Sequence, residues 1–375
     1  MHRGSEIKQF NNLSKQSALF SLNRGSLQIT TDCIRTDLSR MSANVTATMN
    51  GIQSMSSCFN PIAMRIGETF AYCLLFLISL VGNTFIAMIV FKTKTLRKPI
   101  NFLIVNMARS DMLVPIFLFP RELILTYTRS WLMGGPLGQV LCKLSIYASY
   151  LSFTVSIQSL VLIAVDRFGA VMFPLRSPLI NSKRCRFFIL ATWIIAIAIF
   201  CPNLFASKVI DSPEGLACVA DWKGALGEAS SYKNFVLVMQ VIIFYVPLVF
   251  ITILYSGITL KIKSQKIPGE QSTNTREKRL ERERNVLKLS VAIVLGFALC
   301  WLPLSIKWFM LFNSDRTITS SCGFYYFSSV SLFLAWSNCA INPWIFLCFG
   351  GNYRQGLKNL LCCSSFGPDV DRDAP

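Results

Sequence analysis

The chain alternates between long apolar stretches with few or no charges and short segments that are rich in charged residues. Each of these stretches is long enough to cross a membrane as a helix, for which about 20 residues suffice. Because a membrane segment has to satisfy its backbone polar groups internally, the pattern predicts an all-α membrane protein built as a seven-transmembrane helix bundle. The predicted spans are residues 69–91, 99–120, 144–165, 187–207, 234–260, 289–313 and 317–353.

The apolar stretches divide the chain into three parts. Residues 1–65 are polar and low in aromatic residues, which is typical of a disordered segment. Residues 66–349 contain the predicted bundle, and residues 350–375 contain a short amphipathic eighth helix and a short tail. Charged residues make up only 15% of the chain, whereas a soluble protein has about 25%. The composition therefore excludes an ordinary soluble protein.

Basic residues are concentrated in every second connection between the predicted helices. The connections after the first, third and fifth spans are rich in Lys and Arg, and the others are nearly neutral. Since basic loops face the cytosol, we expect a multi-pass plasma-membrane protein with an extracellular N-terminus. The basic loops should also lie close to anionic membrane lipid. The net charge of +18 thus reflects topology, and because it forms no continuous patch, nucleic acid is not an expected partner.

Several cysteines fall on the predicted extracellular side, where disulfides persist. Cys142 begins the third predicted helix, and Cys218 lies between the fourth and the fifth. Cys58 precedes the first span and Cys322 lies before the core of the seventh, so these two are a candidate second pair. Cys33 would then be left over.

Two kinds of covalent modification are also predicted. Asn12 and Asn44 begin Asn-X-Ser/Thr sequons, and the predicted topology places both outside the cell, so we expect glycosylation. Cys362 and Cys363 follow the amphipathic stretch after the last span, which suits acylation at the inner leaflet.

A charged pair, Asp166-Arg167, lies at the inner end of the long apolar third span. A charge there is costly in a bilayer unless it faces protein or water, so the pair is a candidate functional site. Cys142 precedes Arg167 by 25 residues, which is roughly 37 Å of helix and about one membrane thickness. One helix therefore connects an extracellular cysteine with an intracellular ion pair, as a signalling device would require.

The spans carry, in order, the markers of a known family. They are Gly82-Asn83, Asp111, Cys142, Asp166-Arg167-Phe168, Trp193, Pro247 with Tyr255, Cys300-Trp301-Leu302-Pro303 and Asn342-Pro343-Trp344-Ile345-Phe346. On these motifs, residues 69–363 resemble the rhodopsin-like (class A) G protein-coupled receptors, and the chain is most similar to their neuropeptide receptor group. The resemblance implies a disulfide between Cys142 and Cys218.

The resemblance also implies a cytoplasmic site for a heterotrimeric G protein and for arrestin, and a path of transmission to it. Prolines within helices remove a backbone donor and can act as hinges. The implied coupling and switch residues are Asp166, Arg167, Phe168, Tyr255, Glu283, Asn342, Pro343 and Phe346. The implied transmission residues are Trp301, Pro303, Phe297, Ile157 and Pro247. For Glu283, the alternative is a solvated charge.

The resemblance also implies a buried sodium site at the centre of the bundle. No other cofactor is expected. Its residues are Asp111, Ser156, Asn338 and Asn342. Oxygen ligands around one carboxylate suit a hard cation, and the alternative is a water-filled polar network. Arg109 departs from the usual apolar residue. It lies two positions before Asp111, so the two should not face each other on a helix, but an inward Arg109 would replace the ion.

The final position of the span-seven motif departs from the family as well. Phe346 replaces a tyrosine whose hydroxyl normally joins a water bridge to Tyr255. Its absence is expected to weaken the active state. Phe168 replaces another tyrosine, which is a milder change.

The residues at two positions exclude particular classes of ligand. Ser149 stands where amine and opioid receptors carry an aspartate, so a protonated amine would find no anion there. Trp336 stands where opsins carry the retinal lysine, which excludes a photoreceptor. We expect an extracellular peptide, for which an amidated Arg-Phe end would suit Glu122. The predicted pocket residues are Arg121, Glu122, Tyr147, Ser149, Tyr150, Trp301, Lys307 and Trp308.

Other classes of function fit the sequence less well than a peptide receptor does. A lipid or another non-amine small molecule is the alternative ligand. A transporter is a remote alternative, because the halves of the chain show no internal repeat. An enzyme is not expected, since the single histidine, His2, lies in the N-terminal segment and no nucleophile–base arrangement is visible.

Overall fold

The computed structural model describes residues 61–128, 130–173, 179–213, 215–227, 231–264 and 273–362. Side chains are described throughout these ranges except at residues 61, 263, 273–286, 316 and 361–362. The predicted glycosylation sites Asn12 and Asn44 lie outside the described residues, as do Cys58, Cys363 and the side chains of Glu283 and Cys362. The predictions for these residues therefore stay predictions, and so do the boundaries proposed for the N-terminal segment and the tail.

Seven helices in the described part of the chain are long and apolar enough to cross a membrane, which confirms the predicted bundle. We label the spanning helices α1 to α7 and the helix that follows them α8. Their bounds are α1 Pro61–Lys92, α2 Pro99–Thr128, α3 Gly135–Met172, α4 Ser182–Ala206, α5 Tyr232–Met239 continuing through Gln240–Tyr245 to Val246–Ser264, α6 Thr273–Asn313, α7 Cys322–Phe349 and α8 Gly351–Cys362. Short helical turns at Lys94–Leu96, Trp222–Leu226 and Arg316–Thr319 connect them.

Two of the helices contain a wider π-helical segment beside a proline. In α2 the segment is Val114–Leu118 and includes Pro115, and in α5 it is Gln240–Tyr245, two residues before Pro247. Because proline lacks a backbone N–H and its ring crowds the preceding turn, the regular hydrogen-bond ladder is interrupted there. In α6 and α7 the helix continues through Pro303 and Pro343.

A β-hairpin lies between α4 and α5, in the segment that contains Cys218. Its strands β1 (Ser207–Ser212) and β2 (Gly215–Ala220) are antiparallel, with Val209 opposite Cys218. A disulfide joins Cys218 to Cys142 at the start of α3. We call this end of the bundle the disulfide end and the opposite one the Arg167 end. The hairpin is therefore held against the helix that also carries the charged pair.

Close backbone approaches set the position of α1 against the rest of the bundle. A Cβ atom at Gly82 would lie 2.7 Å from Cβ of Pro343, and one at Gly356 of α8 would lie 2.5 Å from Ile89 of α1. Such distances leave no room for a side chain. The buried aliphatic and aromatic residues of α1, α2, α3, α5, α6 and α7 form one continuous core toward the Arg167 end.

Besides the pair Cys142–Cys218, the structure shows that Cys322 is disulfide-bonded. Its predicted partner, Cys58, lies outside the described residues, so the pairing itself stays a prediction. Of the other cysteines whose side chains are described, the free ones are Cys73, Cys185, Cys201, Cys300, Cys339 and Cys348.

Candidate functional site

A cavity of 420 Å³ opens between the helices at the disulfide end. Side chains from α2, α3, α4, α5, α6 and α7 line it, and most of them are apolar or aromatic. Ligand sites are commonly concave and mostly apolar, with a few polar groups that fix orientation. The predicted pocket residues that line it are Arg121, Glu122, Ser149, Tyr150, Trp301, Lys307 and Trp308.

Tyr147 is the predicted pocket residue that does not line this cavity. Its ring is 7% exposed, and its hydroxyl donates to the backbone carbonyl of Ile197 on α4 at 2.8 Å. Three residues later on α3, Tyr150 does face the cavity, stacks on Phe200 at 4.7 Å and has its hydroxyl 3.3 Å from that of Tyr232. Position along the helix therefore assigned Tyr147 to the pocket, whereas its orientation places it in the contact between α3 and α4.

The charges in the cavity are unequally compensated. Arg121 donates to its neighbour Glu122, so the charge of this carboxylate is largely satisfied within α2. Lys307 is only 9% exposed, and its Nζ lies 4.3 Å from the centroid of the Trp308 ring. In the part of the chain that the structure describes, Lys307 forms no salt bridge. Counting the lining residues, the cavity thus has one more positive than negative charge.

The hairpin is held by polar contacts with α3 and with the segment that precedes it. The Gln139 side chain of α3 donates to the Ser207 carbonyl and accepts from the Val209 N–H, and Trp131 donates its backbone N–H to the Leu216 carbonyl at 2.6 Å. A hydrogen bond from Lys208 holds the pKa of Asp221 below its usual range. These contacts fix the hairpin against α3 and the segment before it, at the disulfide end.

At the floor of the cavity, aromatic rings join α3, α5 and α6. Trp301 lies 4.3 Å from Phe153 between ring centroids, and Phe153 stacks on Phe297 at 5.8 Å. Phe244 lies 6.3 Å from Phe297 and is almost completely buried. Sequence reasoning missed Phe153 and Phe244, although Phe153 lies one helical turn after Ser149, on the same face of α3.

Three of the implied transmission residues, Ile157, Phe297 and Pro247, differ in how deeply they are buried. Ile157 and Phe297 are both 1% exposed and belong to the same buried core. Pro247 is only half-buried and lies just after the π-helical segment of α5, where Phe244 takes the inward position. The extra residue per turn in such a segment changes which side chains face the bundle. A direct contact between α5 and α6 is made instead by Tyr245, whose hydroxyl lies 2.5 Å from that of Ser305.

Asp111 lies at the polar centre of the bundle and is fully buried. Its Oδ1 accepts hydrogen bonds from Ser156 at 3.0 Å and from Ser152 at 3.3 Å, and its Oδ2 accepts one from the Asn342 amide at 2.8 Å. Asp111 thus links α2, α3 and α7. Ser152 is a member that the sequence analysis did not identify, although it lies one turn before Ser156 on α3.

The residues around Asp111 fit a small hard cation. The side-chain oxygens of Asn338 and Asn342 are both buried and have no hydrogen-bond partner among the described residues. A carboxylate, two hydroxyls and two amide oxygens are the oxygen-only donor set that hard cations prefer. Arg109 offers no replacement, because its side chain is exposed and lines a groove beside α4. Arg109 and Asp111 therefore lie on different faces of α2, and Arg109 does not replace the ion.

The proline of α7 explains a second polar contact in the core. Pro343 has no N–H, so the carbonyl of Cys339, four residues earlier, loses its usual partner within the helix. The Asn83 amide donates to this carbonyl at 2.9 Å, and the Ser79 hydroxyl does so at 3.3 Å. The glycine at position 82 allows α1 to come close enough for this contact.

At the Arg167 end, the Arg167 Nη2 donates to Asp166 Oδ2 at 2.6 Å. Asp166 is buried, and the Nε of Arg167 is buried without a partner in the described part. Tyr255 of α5 is 7% exposed and lies within interaction range of Ser290 on α6 and of Arg167. Phe168 contacts α5 at Gly257, where a Cβ would come within 3.1 Å of the Phe168 ring. α5 therefore lies beside the charged pair, and Tyr255 connects this region with α6.

Phe346 is 2% exposed and contacts α8. Its ring centroid lies 5.2 Å from that of Tyr353, whose hydroxyl is 3.2 Å from the Asn101 side-chain oxygen. The final residue of the span-seven motif thus holds α8 against the bundle through an apolar ring contact.

Comparison with known proteins agrees with this geometry. Residues 82–346 match the profile of the family described as 7 transmembrane receptor (rhodopsin family). The chain is 29% identical over 299 residues to the QRFP-like peptide receptor of Branchiostoma floridae, covering 78% of this chain and 76% of that protein. It is 30% identical over 311 residues to neuropeptide receptor 22 of Caenorhabditis elegans, covering 79% and 70% of the two chains. It is 30% identical over 312 residues to neuropeptide Y receptor type 1 of Xenopus laevis, covering 80% and 82%. The chain therefore belongs to the rhodopsin family of seven-transmembrane receptors and is similar to members named as peptide and neuropeptide receptors.

Proposed function

We propose that this protein is a plasma-membrane receptor that binds a peptide at the disulfide end and drives nucleotide exchange on a heterotrimeric G protein at the Arg167 end. The observation that carries the proposal is the cavity of 420 Å³, whose floor continues through Trp301, Phe153 and Phe297 toward the core around Asp111. The similarity to peptide receptors supports the choice of ligand. The basic loops after the first, third and fifth spans support a cytosolic Arg167 end.

The coupling mechanism follows from the movements that the proline in α6 allows. Pro303 interrupts the hydrogen bonds of α6 just after Trp301, so a ligand that displaces Trp301 can change the bend of α6 at this point. An outward swing of α6 at the Arg167 end would separate it from Tyr255 and open the space around Arg167. Arg167 would then leave Asp166 and contact a helix of the G protein. Glu283, whose side chain lies outside the described part, is retained as a proposed resting-state partner of Arg167.

The charges of the cavity specify the ligand further. A buried cation without an anion is unfavourable, so an acidic group on the ligand near Lys307 would remove that cost. A basic ligand group can in turn compete with Arg121 for Glu122. We therefore expect a short peptide with both an acidic group and a basic group, with its aromatic side chains against Tyr150 and Trp308.

The proposal is tested by exchange assays on cells that display the receptor, with a library of short peptides in matched amide and free-acid forms. A peptide response in cells with the receptor, and none in cells without it, would support the proposed function. Silence across the library from a surface-exposed receptor would contradict the peptide ligand and favour a lipid or another small molecule.

Replacing Lys307 by methionine is expected to lower the potency of an activating acidic peptide on the order of tenfold, because a buried charge-assisted contact is lost. The same peptide with its acidic group changed to an amide should be weaker on the natural receptor and unaffected by the substitution. Potencies of both peptides on both receptors give the coupling between the two groups. Equal losses for both peptides would show that Lys307 does not recognise the acid.

We propose that the Asp111 centre binds sodium, for which it has the required oxygen donors. Asp111, Ser152, Ser156, Asn338 and Asn342 would hold the ion, which supplies a positive charge that stabilises the resting arrangement of α2, α3 and α7. Because a ligand of the folded state raises its stability, the melting temperature of the purified receptor should rise in sodium chloride relative to N-methylglucamine chloride at equal ionic strength. Asp111→Asn should abolish that difference. A sodium effect that persists in the variant would place the ion elsewhere.

Phe346→Tyr is expected to raise basal or agonist-stimulated exchange. One hydrogen bond gained in the active state contributes about 1 kcal/mol, or roughly a fivefold shift in the equilibrium. The matched control is Phe349→Tyr, which makes the same chemical change at an exposed position of α7. Unchanged basal activity and efficacy in Phe346→Tyr would refute this role for the missing hydroxyl.

A further inference from the structure

The first turn of α5 contacts the last turn of α6 through Lys233, at the disulfide end. The Lys233 Nζ donates to the backbone carbonyl of Phe312 at 2.8 Å and to the side-chain oxygen of Asn313 at 3.2 Å. Because α6 ends at Asn313, the Phe312 carbonyl has no hydrogen-bond partner within its own helix. The last carbonyls of a helix carry a partial negative charge, which a cation stabilises. Lys233 therefore caps the end of α6 from a neighbouring helix.

Tyr232, the residue before Lys233, packs against two aromatic rings of the same part of α6. Its ring centroid lies 6.0 Å from that of Trp308 and 6.3 Å from that of Phe312, with interplanar angles of 85° and 83°. Trp308 and Phe312 stack on each other at 5.5 Å. Since edge-to-face and stacked arrangements are both favourable for aromatic pairs, these rings and the lysine cap fix the same stretch of α6.

Tyr232 also connects this stretch of α6 with α3 and with the segment after the hairpin. Its hydroxyl lies 3.3 Å from that of Tyr150 on α3, and its ring centroid lies 5.5 Å from that of Trp222. Trp222 begins the helical turn that follows β2, and β2 is joined to α3 by the disulfide Cys142–Cys218. The end of α6 is thus held by residues that are themselves anchored to α3.

These contacts involve only the part of α6 beyond its proline. We call residues 304–313 the disulfide-end half of α6. Asn313 lies ten residues after Pro303, which is roughly 15 Å along the helix. A swing of the Arg167-end half about Pro303 also displaces the disulfide-end half unless the bend at the proline absorbs the whole movement. Contacts that fix the disulfide-end half therefore favour the arrangement of α6 that the structure shows.

We propose that Tyr232 and Lys233 form a latch that holds the disulfide-end half of α6 in the resting arrangement, in which Arg167 is paired with Asp166. The effect of the latch on signalling rests on the proposed function, because nucleotide exchange is its readout. Loss of the latch brings the resting and active arrangements closer in free energy and raises basal exchange. A ligand reaches the latch through Trp308, which lines the cavity and contacts Tyr232.

Hydrogen–deuterium exchange of the purified receptor tests the latch without a G protein. In Lys233→Met, the backbone amides of residues 309–313 should exchange on the order of threefold faster, because the cation at the helix end is lost. Lys233→Arg keeps the charge and should keep amide exchange slow. The matched control is Lys143→Met, which removes a charge beside Cys142 and breaks no salt bridge among the described residues. Amide exchange in Lys233→Met equal to that of the natural receptor would overturn the latch.

Basal nucleotide exchange in membranes tests the consequence for signalling. Lys233→Met should raise it on the order of threefold, and the rise should vanish when Arg167→Ala is added. Tyr232→Phe, which keeps the ring contacts and removes the hydroxyl, should raise it less. If Asp166→Asn raises basal exchange and Lys233→Met does not, the latch does not restrain activation and the proposal is wrong. Silence of both variants, together with faster amide exchange in Lys233→Met, would contradict the proposed function while supporting the latch on α6.

Discussion

Arg167→Ala is expected to abolish ligand-driven nucleotide exchange while the receptor still folds and binds its ligand. Arg167 donates to Asp166 at 2.6 Å, and it lies at the opposite end of α3 from the cavity. Its loss removes the group that we expect to contact the G protein without touching a residue that lines the ligand cavity. Exchange rates and ligand binding measured on the same membranes separate the two effects.

The control for this variant is Arg354→Ala, which removes an exposed arginine from α8 at the same end. It should leave exchange close to the natural level. Full exchange in Arg167→Ala would contradict the proposed coupling site, and a loss of binding in parallel would instead indicate a folding defect.

The partner residue gives a prediction of opposite sign within the same experiment. Asp166 is buried beside Arg167, so Asp166→Asn removes the negative charge that holds the guanidinium in its resting position. We expect basal exchange to rise. If Asp166→Asn and Arg167→Ala both lowered exchange equally, the pair would have a purely structural role.

The second large effect is expected from Gly82→Ala, which should lower the stability of the bundle. The added Cβ would lie 2.7 Å from Cβ and 3.0 Å from Cγ of Pro343, and the proline ring cannot rotate away. Overpacking of this kind costs about 1–3 kcal/mol. Moving α1 away to relieve the clash would also break the hydrogen bond from Asn83 to the Cys339 carbonyl, which proline leaves without a partner in its own helix.

Gly67→Ala is the matched control for this prediction, because Gly67 lies on the same helix and a Cβ there meets no atom within 4 Å. Alanine is a better helix former than glycine by about 1 kcal/mol, so this variant should be as stable as the natural receptor or slightly more stable. The melting temperatures of both purified variants test the predicted difference in stability. A Gly82→Ala protein that melts no lower than Gly67→Ala would show that the α1–α7 contact can relax.

Much of the candidate site follows from motifs that lie at fixed distances along helices. Asp111, Ser156, Asn338 and Asn342 are buried together or in contact, and Asp166 pairs with Arg167, because side-chain identity and helical position suffice to define them. The orientation of individual rings was harder to predict. Tyr147 and Tyr150 are three residues apart on α3 and both are aromatic, yet only Tyr150 lines the cavity.

Sequence by itself determined the seven apolar spans, the eighth helix and the order of the motifs, since each depends on hydropathy and on residue spacing within one segment. Tertiary structure decided the rest: the aromatic floor with Phe153 and Phe244, the burial of Phe244 while Pro247 stays half-buried, and the separation of Arg109 from Asp111. It also decided that Lys307 is buried with no salt-bridge partner among the described residues, while Glu122 is satisfied by Arg121. The physical reason is that a local pattern fixes where a residue lies along a helix, whereas the rotation of each helix and the partners it meets depend on how all seven pack together.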